Sequence, residues 1–110
     1  MSYNVLYTEN FRKEAKRLAK KHVSLKKDIE TLIDSLEQTP IQGKALGQDC
    51  YKIRMAISSK GKGKSGGARV ITCVLIEDVD VYLLIVYDKS EKENISDNEL
   101  LTLRKQIQIT

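Results

Sequence analysis

Two apolar runs rich in β-branched residues, 68–77 and 79–87, restrict the fold of this chain more than any other feature. Each run has the length and composition of one strand, and Asp78 lies between them, where a tight hairpin turn would fall. Residues 50–57 alternate apolar and polar with a period of two, which predicts a strand with one apolar and one partly cationic face. Together the three segments predict an antiparallel meander.

Helical periodicity precedes this meander. Phe11, Ala15 and Leu18 recur at helical spacing, and Thr8 is the predicted N-cap of that first helix. A second helix is predicted to begin after a Ser24 cap and to end at residues 39–40, Thr-Pro. Because the connection near His22 is short, the two helices form an αα-hairpin.

The remaining segments complete an α+β fold. Residues 3–7 predict an N-terminal strand, and Gly43 and Gly47 mark a connecting loop. Ser96 and Glu99 form a capping box that begins a last helix. We therefore expect a single domain over residues 1–110, with an N-terminal strand and an αα-hairpin packed on an antiparallel sheet, and a C-terminal helix. All the helices are expected to cover one face of the sheet and to leave the other partly open.

The composition favours a chain that folds without metals or disulfides. At 110 residues it can bury one modest core, and it contains no apolar run long enough to span a membrane. The N-terminus lacks the pattern of a secretory signal, so we expect a cytoplasmic protein with no membrane contact. Cys50 and Cys73 lie in apolar stretches without ligands at metal spacing, which predicts buried free thiols and neither a metal nor a cofactor.

The distribution of charge is more informative than the net charge of +4. Residues 50–76 contain no Asp or Glu but six cations, Lys52, Arg54, Lys60, Lys62, Lys64 and Arg69. The remaining thirteen cations face fifteen acids, so the rest of the chain sums to −2. A local positive excess of this kind predicts contact with a polyanion.

A second group of cations, by contrast, is predicted to be a solvated helix face. It lies in the helical region and consists of Arg12, Lys13, Lys16, Arg17, Lys20, Lys21, Lys26 and Lys27.

The segment 60–69, KGKGKSGGAR, contains the Gly-Lys-Ser end of a phosphate-binding loop but not the rest of that motif. The motif requires a glycine where this chain has Ser58, and it must lead into a helix, whereas the residues after Arg69 predict a strand. The segment is therefore expected to be a long hairpin loop that carries Lys60, Lys62 and Lys64 outward, not a nucleotide triphosphate site.

Three segments carry a resemblance to a known family: 49–54 (DCYKIR), 62–71 (KGKSGGARVI) and 82–91 (YLLIVYDKSE). They resemble the RelE/ParE superfamily of bacterial toxins from type II toxin-antitoxin modules, and are most similar to its HigB-like branch. The resemblance implies a microbial-ribonuclease-like fold and ribosome-dependent cleavage of messenger RNA in the decoding site. The implied partners are the ribosome with its messenger, a HigA-like antitoxin of the helix-turn-helix type and, through the antitoxin, operator DNA.

The same resemblance implies roles for individual residues. Lys52 and Arg54 match the paired strand cations of the family, Arg69 matches its phosphate-contacting arginine, and Lys89 falls where many members have an active-site arginine. Lys62 and Lys64 belong to the longer loop of the HigB-like branch, and Lys60 is expected to bind RNA. The best-known members have a tyrosine in the last segment, which residues 88–110 lack, so Tyr87 is the substitute for stacking on a base.

Cleavage of RNA by its own 2′-hydroxyl would leave a 2′,3′-cyclic phosphate and requires one proton to be removed, one to be supplied and phosphoryl charge to be stabilised. The acid-free segment offers no histidine or carboxylate for these tasks. We therefore expect one lysine among Lys52, Lys62 and Lys64 to accept the proton, while Arg54 and Arg69 hold the phosphate. The ribosome would supply the in-line geometry.

Two other classes of function remain open on the sequence. A ParE-like inhibitor of DNA gyrase shares the fold but does not need a cationic sheet face. A non-catalytic module that binds RNA or DNA would share the charge but would not produce cleaved ends.

Overall fold

The computed structural model describes residues 2–108, apart from the side chain of Gln108, as a five-stranded sheet with three helices. In chain order the elements are β1 (Asn4–Tyr7), α1 (Glu9–Lys21), α2 (Leu25–Gln38), β2 (Lys44–Gly47), β3 (Cys50–Met55), β4 (Ala68–Leu75), β5 (Asp80–Asp88) and α3 (Asp97–Gln108). A single turn of 3-10 helix at Ser58–Lys60 follows β3. The predicted α+β class is confirmed, the predicted elements occur in the predicted order with β2 as an additional strand, and the predicted hairpin loop is present between β3 and β4.

The sheet has the order β1-β5-β4-β3-β2. Strands β3 to β5 are antiparallel neighbours, as the meander predicted, and β2 adds to β3 in the same sense, whereas β1 pairs with β5 in parallel. The sheet is therefore mixed and not wholly antiparallel. The sequence could not reveal this, because the direction of β1 depends on where α1 and α2 carry the chain.

Strand β2 lies in the segment that was predicted to be a loop. Its partner is β3, and the two are joined through Gln48 and Asp49, both of which have positive φ angles, 58° and 63°. Two successive positive φ values characterise a tight type I′ hairpin turn, for which Asn-Gly is the usual sequence signal. Gln-Asp lacks that signal, and this is why the hairpin was missed.

The helices pack on both faces of the sheet. Helices α1 and α2 bury their apolar stripes against one face, whose core includes Leu18, Leu36, Val70 and Leu83. Helix α3 packs on the opposite face, with Leu100, Leu103 and Ile107 against a second cluster that holds both cysteines. The expectation that all helices cover one face was wrong for α3, whose apolar stripe completes this second cluster.

Capping residues fix where the helices begin. The Thr8 hydroxyl accepts a hydrogen bond from the Phe11 amide at 3.2 Å, as predicted, and donates to the Leu84 carbonyl at 3.0 Å, which ties α1 to β5. Ser96 and Glu99 form the predicted capping box with two bonds of 3.1 Å. Ser24 makes no capping bond to the backbone of α2, since its hydroxyl donates to the Asp28 carboxylate instead.

Cys50 and Cys73 are free and buried, as predicted, and stand opposite each other on β3 and β4. Within residues 2–108, none of the helices is both long and apolar enough to cross a membrane.

Candidate active site

Three strands bring two arginines and a tyrosine side by side. Arg54 on β3 pairs with Arg69 on β4, which in turn pairs with Tyr87 on β5. Directly paired residues of a sheet project to the same face, so the three side chains form one row on the face that α3 partly covers. Lys52, two residues from Arg54, projects to the same face. We call the surface formed by Lys52, Arg54, Lys62, Lys64, Arg69 and Lys89 the cationic face.

Arg69 is the buried centre of the cationic face. Only 6% of its surface is exposed. Its Nη1 donates to the carbonyls of Lys64 and Ala68, at 3.0 and 3.1 Å, and within residues 2–108 its guanidinium has no carboxylate partner. A buried charge without a counter-ion is costly, because the protein interior replaces the lost hydration poorly. The arrangement is therefore suited to a bound anion.

Tyr87 does not fit the predicted base-stacking role. Its ring is 4% exposed and packs in the same cluster as Leu100 and Leu103 of α3, so neither ring face is free for a base. The hydroxyl is buried and has no hydrogen-bond partner in the described part of the chain. Burial raises the pKa of Tyr87, and the nearby positive charge of Arg69 offsets this only in part. The phenol thus stays protonated at neutral pH.

The segment after β5 closes over one side of the cationic face. Lys52 is half-buried, and its Nζ donates to the Asn94 side-chain oxygen at 3.3 Å. Lys89, by contrast, is exposed, and its amide donates to the Gly67 carbonyl at 3.1 Å. The hydrogen bond between Lys52 and Asn94 therefore links β3 to residues 89–94, whereas the Lys89 side chain is exposed to solvent.

The loop between β3 and β4 presents Lys62 and Lys64 to solvent. Gly63 has a φ of 65°, a conformation that glycine adopts without strain. At Gly67 a side chain would not fit, because a Cβ atom would lie 2.2 Å from the Met55 carbonyl oxygen. The loop is thus anchored against β3 at its end, and its tip carries two lysine side chains that make no ion pair within residues 2–108.

Lys60 does not extend outward with the other loop lysines, as was predicted. Its side chain is 16% exposed, and its ammonium forms a 2.8 Å ion pair with Asp88 and donates to the Gly66 carbonyl at 3.2 Å. The reason is strand alternation: Asp88 follows Tyr87 on β5, so it projects to the α1–α2 side of the sheet. Lys60 therefore fixes the base of the loop and is not available to RNA.

Sequence reasoning missed the cluster around Asp88. Its carboxylate also contacts the His22 Nε2 at 3.1 Å and accepts from the Ser90 amide and hydroxyl at 2.9 and 2.8 Å. Burial alone would raise the pKa of Asp88, but the bonds from Lys60 and Ser90 outweigh it and hold that pKa well below its usual range. The Asp-Lys-Ser run was the one available sign, since an Asp often caps its own turn.

Two acids that follow β5 in the chain are already paired. Glu99, whose negative charge helps to raise the pKa of Tyr87, forms an ion pair with Lys92. Glu91 pairs with Arg17 and Lys21 of α1, at 3.0 and 2.8 Å. None of the six side chains of the cationic face therefore forms an ion pair within residues 2–108. That part of the chain contains no group of three or more His, Cys, Asp or Glu placed to hold a metal ion.

The fold and the cationic face together define an α+β protein with a positively charged surface on one side of its sheet. The family model described as the RelE toxin of the RelE/RelB toxin-antitoxin system matches residues 4–110. The chain therefore belongs to the RelE family of type II toxins, a family whose activity in general is of the ribonuclease type.

Solved structures have the same fold. A mutant of the E. coli toxin RelE in the free state is 24% identical, with a TM-score of 0.63, over 84% of this chain and 90% of that one. RelE in the intact E. coli RelBE complex is 26% identical, with a TM-score of 0.57, over 79% of this chain and 96% of that one. The RelBE2 complex from Mycobacterium tuberculosis is 20% identical, with a TM-score of 0.59, over 80% and 92%.

Proposed function

We propose that this toxin is a metal-independent endoribonuclease that cuts messenger RNA in the A site of the ribosome and so stops translation in the cytoplasm. The observation that supports this most is the buried Arg69, which has no carboxylate partner within residues 2–108 and lies beside Arg54 on the neighbouring strand. A surface that served only for contact with another protein would not need a buried, unpaired guanidinium.

The proposed reaction is attack by the 2′-hydroxyl on the adjacent phosphorus. The new bond joins the 2′-oxygen to phosphorus, the bond from phosphorus to the 5′-oxygen breaks, and the products are a 2′,3′-cyclic phosphate and a free 5′-hydroxyl. The 2′-hydroxyl proton passes to a base, and an acid returns a proton to the leaving 5′-oxygen. The proposed reaction requires neither a redox partner nor a metal ion.

Lys52 is our choice for the base among the three lysines considered. It lies on a strand, whereas Lys62 and Lys64 lie on the loop, and its Nζ is directed by Asn94. Arg69, with Arg54 beside it, would stabilise the charge on the phosphoryl oxygens. An ammonium from Lys62, Lys64 or Lys89 would protonate the leaving oxygen. The ribosome would hold the messenger in line, which alone can contribute about 7 kcal/mol.

The partners follow from the family. The E. coli and M. tuberculosis relatives are seen in complexes with an antitoxin, and we infer that this chain has an antitoxin of its own. The long Gly-Lys loop supports the HigB-like branch, with a HigA-like antitoxin that carries a helix-turn-helix and links the toxin to operator DNA.

The test is cleavage by Arg69→Ala on translating ribosomes. We expect kcat/KM to fall at least about 30-fold, corresponding to about 2 kcal/mol, because one donor to the developing oxyanion is lost. The matched control is Arg12→Ala, which removes an exposed arginine that pairs with Glu9 on α1 and should leave cleavage unchanged. Full activity of Arg69→Ala would remove this residue from the mechanism.

Cleaved ends separate the nuclease from the other two classes. A cyclic phosphate and a 5′-hydroxyl mapped to the A site require catalysis, which a non-catalytic RNA- or DNA-binding module would not provide. Inhibition of gyrase supercoiling without messenger cleavage would instead favour a ParE-like inhibitor.

A further inference from the structure

The two cysteines of this chain face each other across a pair of strands, and the proposed reaction uses neither of them. Cys50 begins β3 and lies directly opposite Cys73 on β4. The Val74 amide donates to the Asp49 carbonyl at 2.9 Å, which makes the two cysteines a non-hydrogen-bonded pair of the antiparallel ladder. In such a pair the Cα atoms are ~4.5 Å apart, and the side chains are closer than in a hydrogen-bonded pair.

That spacing suits a disulfide bond. A disulfide joins cysteines whose Cα atoms are about 4.4–6.8 Å apart. Both sulfurs already lie against one backbone oxygen, the Gln48 carbonyl, at 3.3 Å from the Cys50 Sγ and 4.0 Å from the Cys73 Sγ. The two side chains therefore converge on one point, and a bond between them requires only a small movement of the strands.

The two thiols differ in how readily they ionise, and the thiolate is the reactive form. The pKa of Cys73 is lowered, first by its hydrogen bond with the Cys50 side chain and also by the positive charge of Arg104, although burial opposes both. The pKa of Cys50 is raised, first by the same hydrogen bond and then by burial. Cys73 is therefore the thiol that loses its proton first.

Helix α3 places Arg104 beside both sulfurs. The Arg104 Nε donates to the Gln48 carbonyl at 3.2 Å, the same oxygen that the sulfurs approach. The turn before β3 contributes Asp49, whose carboxylate lies 3.9 Å from the Arg104 Nη2 and opposes its effect on the thiols. On β5 the titratable neighbour is Tyr82, which pairs with Cys73. A positive charge beside a cysteine is the usual mark of a reactive thiol.

Burial restricts which oxidant can reach the pair. The exposed fraction is 1% for Cys50 and 0% for Cys73. A peptide-sized disulfide would have to open the core to form a mixed disulfide there, whereas hydrogen peroxide is little larger than water and needs only a brief local opening. The site therefore favours peroxide as its oxidant.

We propose that Cys50 and Cys73 are a site of reversible oxidation, at which hydrogen peroxide converts the two thiols into a disulfide that links β3 to β4. The Cys73 thiolate attacks one peroxide oxygen and the O–O bond breaks. The departing hydroxide takes up the proton that Cys73 had released, which leaves water and a sulfenic acid on Cys73. The Cys50 sulfur then attacks the sulfenic sulfur, gives up its own proton and displaces the hydroxyl group as a second water. Two thiols are oxidised, and one peroxide is reduced to two waters.

The bond would close a loop that carries most of the cationic face. Of the residues that form this face, only Lys89 lies outside the segment between Cys50 and Cys73. A cross-link over such a span stabilises a protein mainly by restricting its unfolded chain. The oxidised protein would thus hold together the two strands that carry Arg54 and Arg69, and no cation is consumed. The inference goes beyond the proposed function and does not depend on it, because none of its measurements involves RNA.

The first test uses the full wild-type chain. After exposure to hydrogen peroxide, the protein is unfolded in guanidinium chloride with iodoacetamide, and its mass and peptides are compared with those of the untreated protein. We expect a monomer lighter by two hydrogen atoms, with Cys50 joined to Cys73 and no alkylated thiol, and dithiothreitol should restore both alkylation sites. The Tm of the oxidised protein should rise by at least about 5 °C.

These wild-type readouts do not depend on how a variant folds. Two alkylated cysteines after peroxide treatment, cysteines oxidised beyond sulfenic acid without a cross-link, or a disulfide that forms only between two chains would each overturn the proposal. A cross-linked monomer whose Tm does not rise would overturn the stabilising role of the bond. Cys50→Ala is the control for the Tm measurement, since peroxide should leave its Tm unchanged.

A second test concerns Arg104 as a positioning residue that promotes ionisation of the thiols. We expect Arg104→Gln to form the disulfide at least about threefold more slowly at neutral pH, and to approach the wild-type rate at high pH, where the thiols ionise without help. The matched control is Lys105→Gln, the next residue of α3, which is exposed and should oxidise like the wild type. A rate that is lowered equally at every pH, or not at all, would remove Arg104 from this role.

Discussion

Helix α1 and the cationic face look similar in the sequence, since both are rich in Lys and Arg, but their arginines are paired differently in the structure. On α1, Arg12 pairs with Glu9, and Arg17 pairs with both Glu14 and Glu91. On the cationic face, Arg54 and Arg69 lie side by side without a carboxylate from the described residues. The two regions thus differ in whether their arginines have a carboxylate partner, and a count of cations does not reveal this difference.

Lys60 sharpens the comparison, because it belongs to the acid-free segment but is paired like a residue of α1. Changing Asp88 to Asn removes its counter-ion and leaves a mostly buried ammonium without compensation. We expect the free energy of unfolding to fall by about 3 kcal/mol, measured by urea denaturation. The matched control, Glu14→Gln, removes the acid of an exposed pair and should change stability by less than about 1 kcal/mol.

The effect of Asp88 should also depend on pH with a definite sign. Its pKa in the folded protein is depressed, so the stability that it contributes is full above the ordinary carboxyl pKa of about 4 and is lost as the pH falls towards the folded value. The difference between wild type and Asp88→Asn should therefore shrink as the pH is lowered below about 4. A difference that grows under acid would contradict the ion pair with Lys60.

Most of the fold could be predicted from local patterns, because periodicity and capping act over a few residues. Thr8, Ser96 and the hairpin near Asp78 behave as their local sequence indicated. The parallel pairing of β1 and the position of α3 could not be predicted, since both depend on contacts between residues far apart in the chain.

The candidate site shows the same limit. The register of β3 and β4, which local alternation sets, brings Arg54 and Arg69 together as expected. The burial of Lys60 and Tyr87 was not predicted, because the first meets Asp88, 28 residues away, and the second is covered by α3. A sequence shows which charged residues are present, but the tertiary fold determines which residues they form ion pairs with.

The loop lysines offer a second way to test the contrast with α1. We expect the double variant Lys62→Ala/Lys64→Ala to bind a short 2′-O-methyl RNA less tightly, with a shallower dependence of log K on log salt. Each lost phosphate contact on a single strand reduces that slope by about 0.7. The double variant Lys13→Ala/Lys16→Ala on α1 is the control, measured by fluorescence anisotropy over a salt series. Equal changes in both would show that only total charge matters.

We expect the smallest effect on stability from a change at Glu91. This acid follows β5 and pairs with α1, and it does not pair with the cationic face. Its pKa is lowered to about 2, first by the hydrogen bond from Arg17 and then by the one from Lys21. Since both pairs are solvent-exposed, Glu91→Gln should cost less than about 1 kcal/mol in thermal unfolding and leave RNA affinity unchanged. Tighter RNA binding by this variant would mean that Glu91 restrains the cationic face at a distance, and the separation between the two basic regions would not hold.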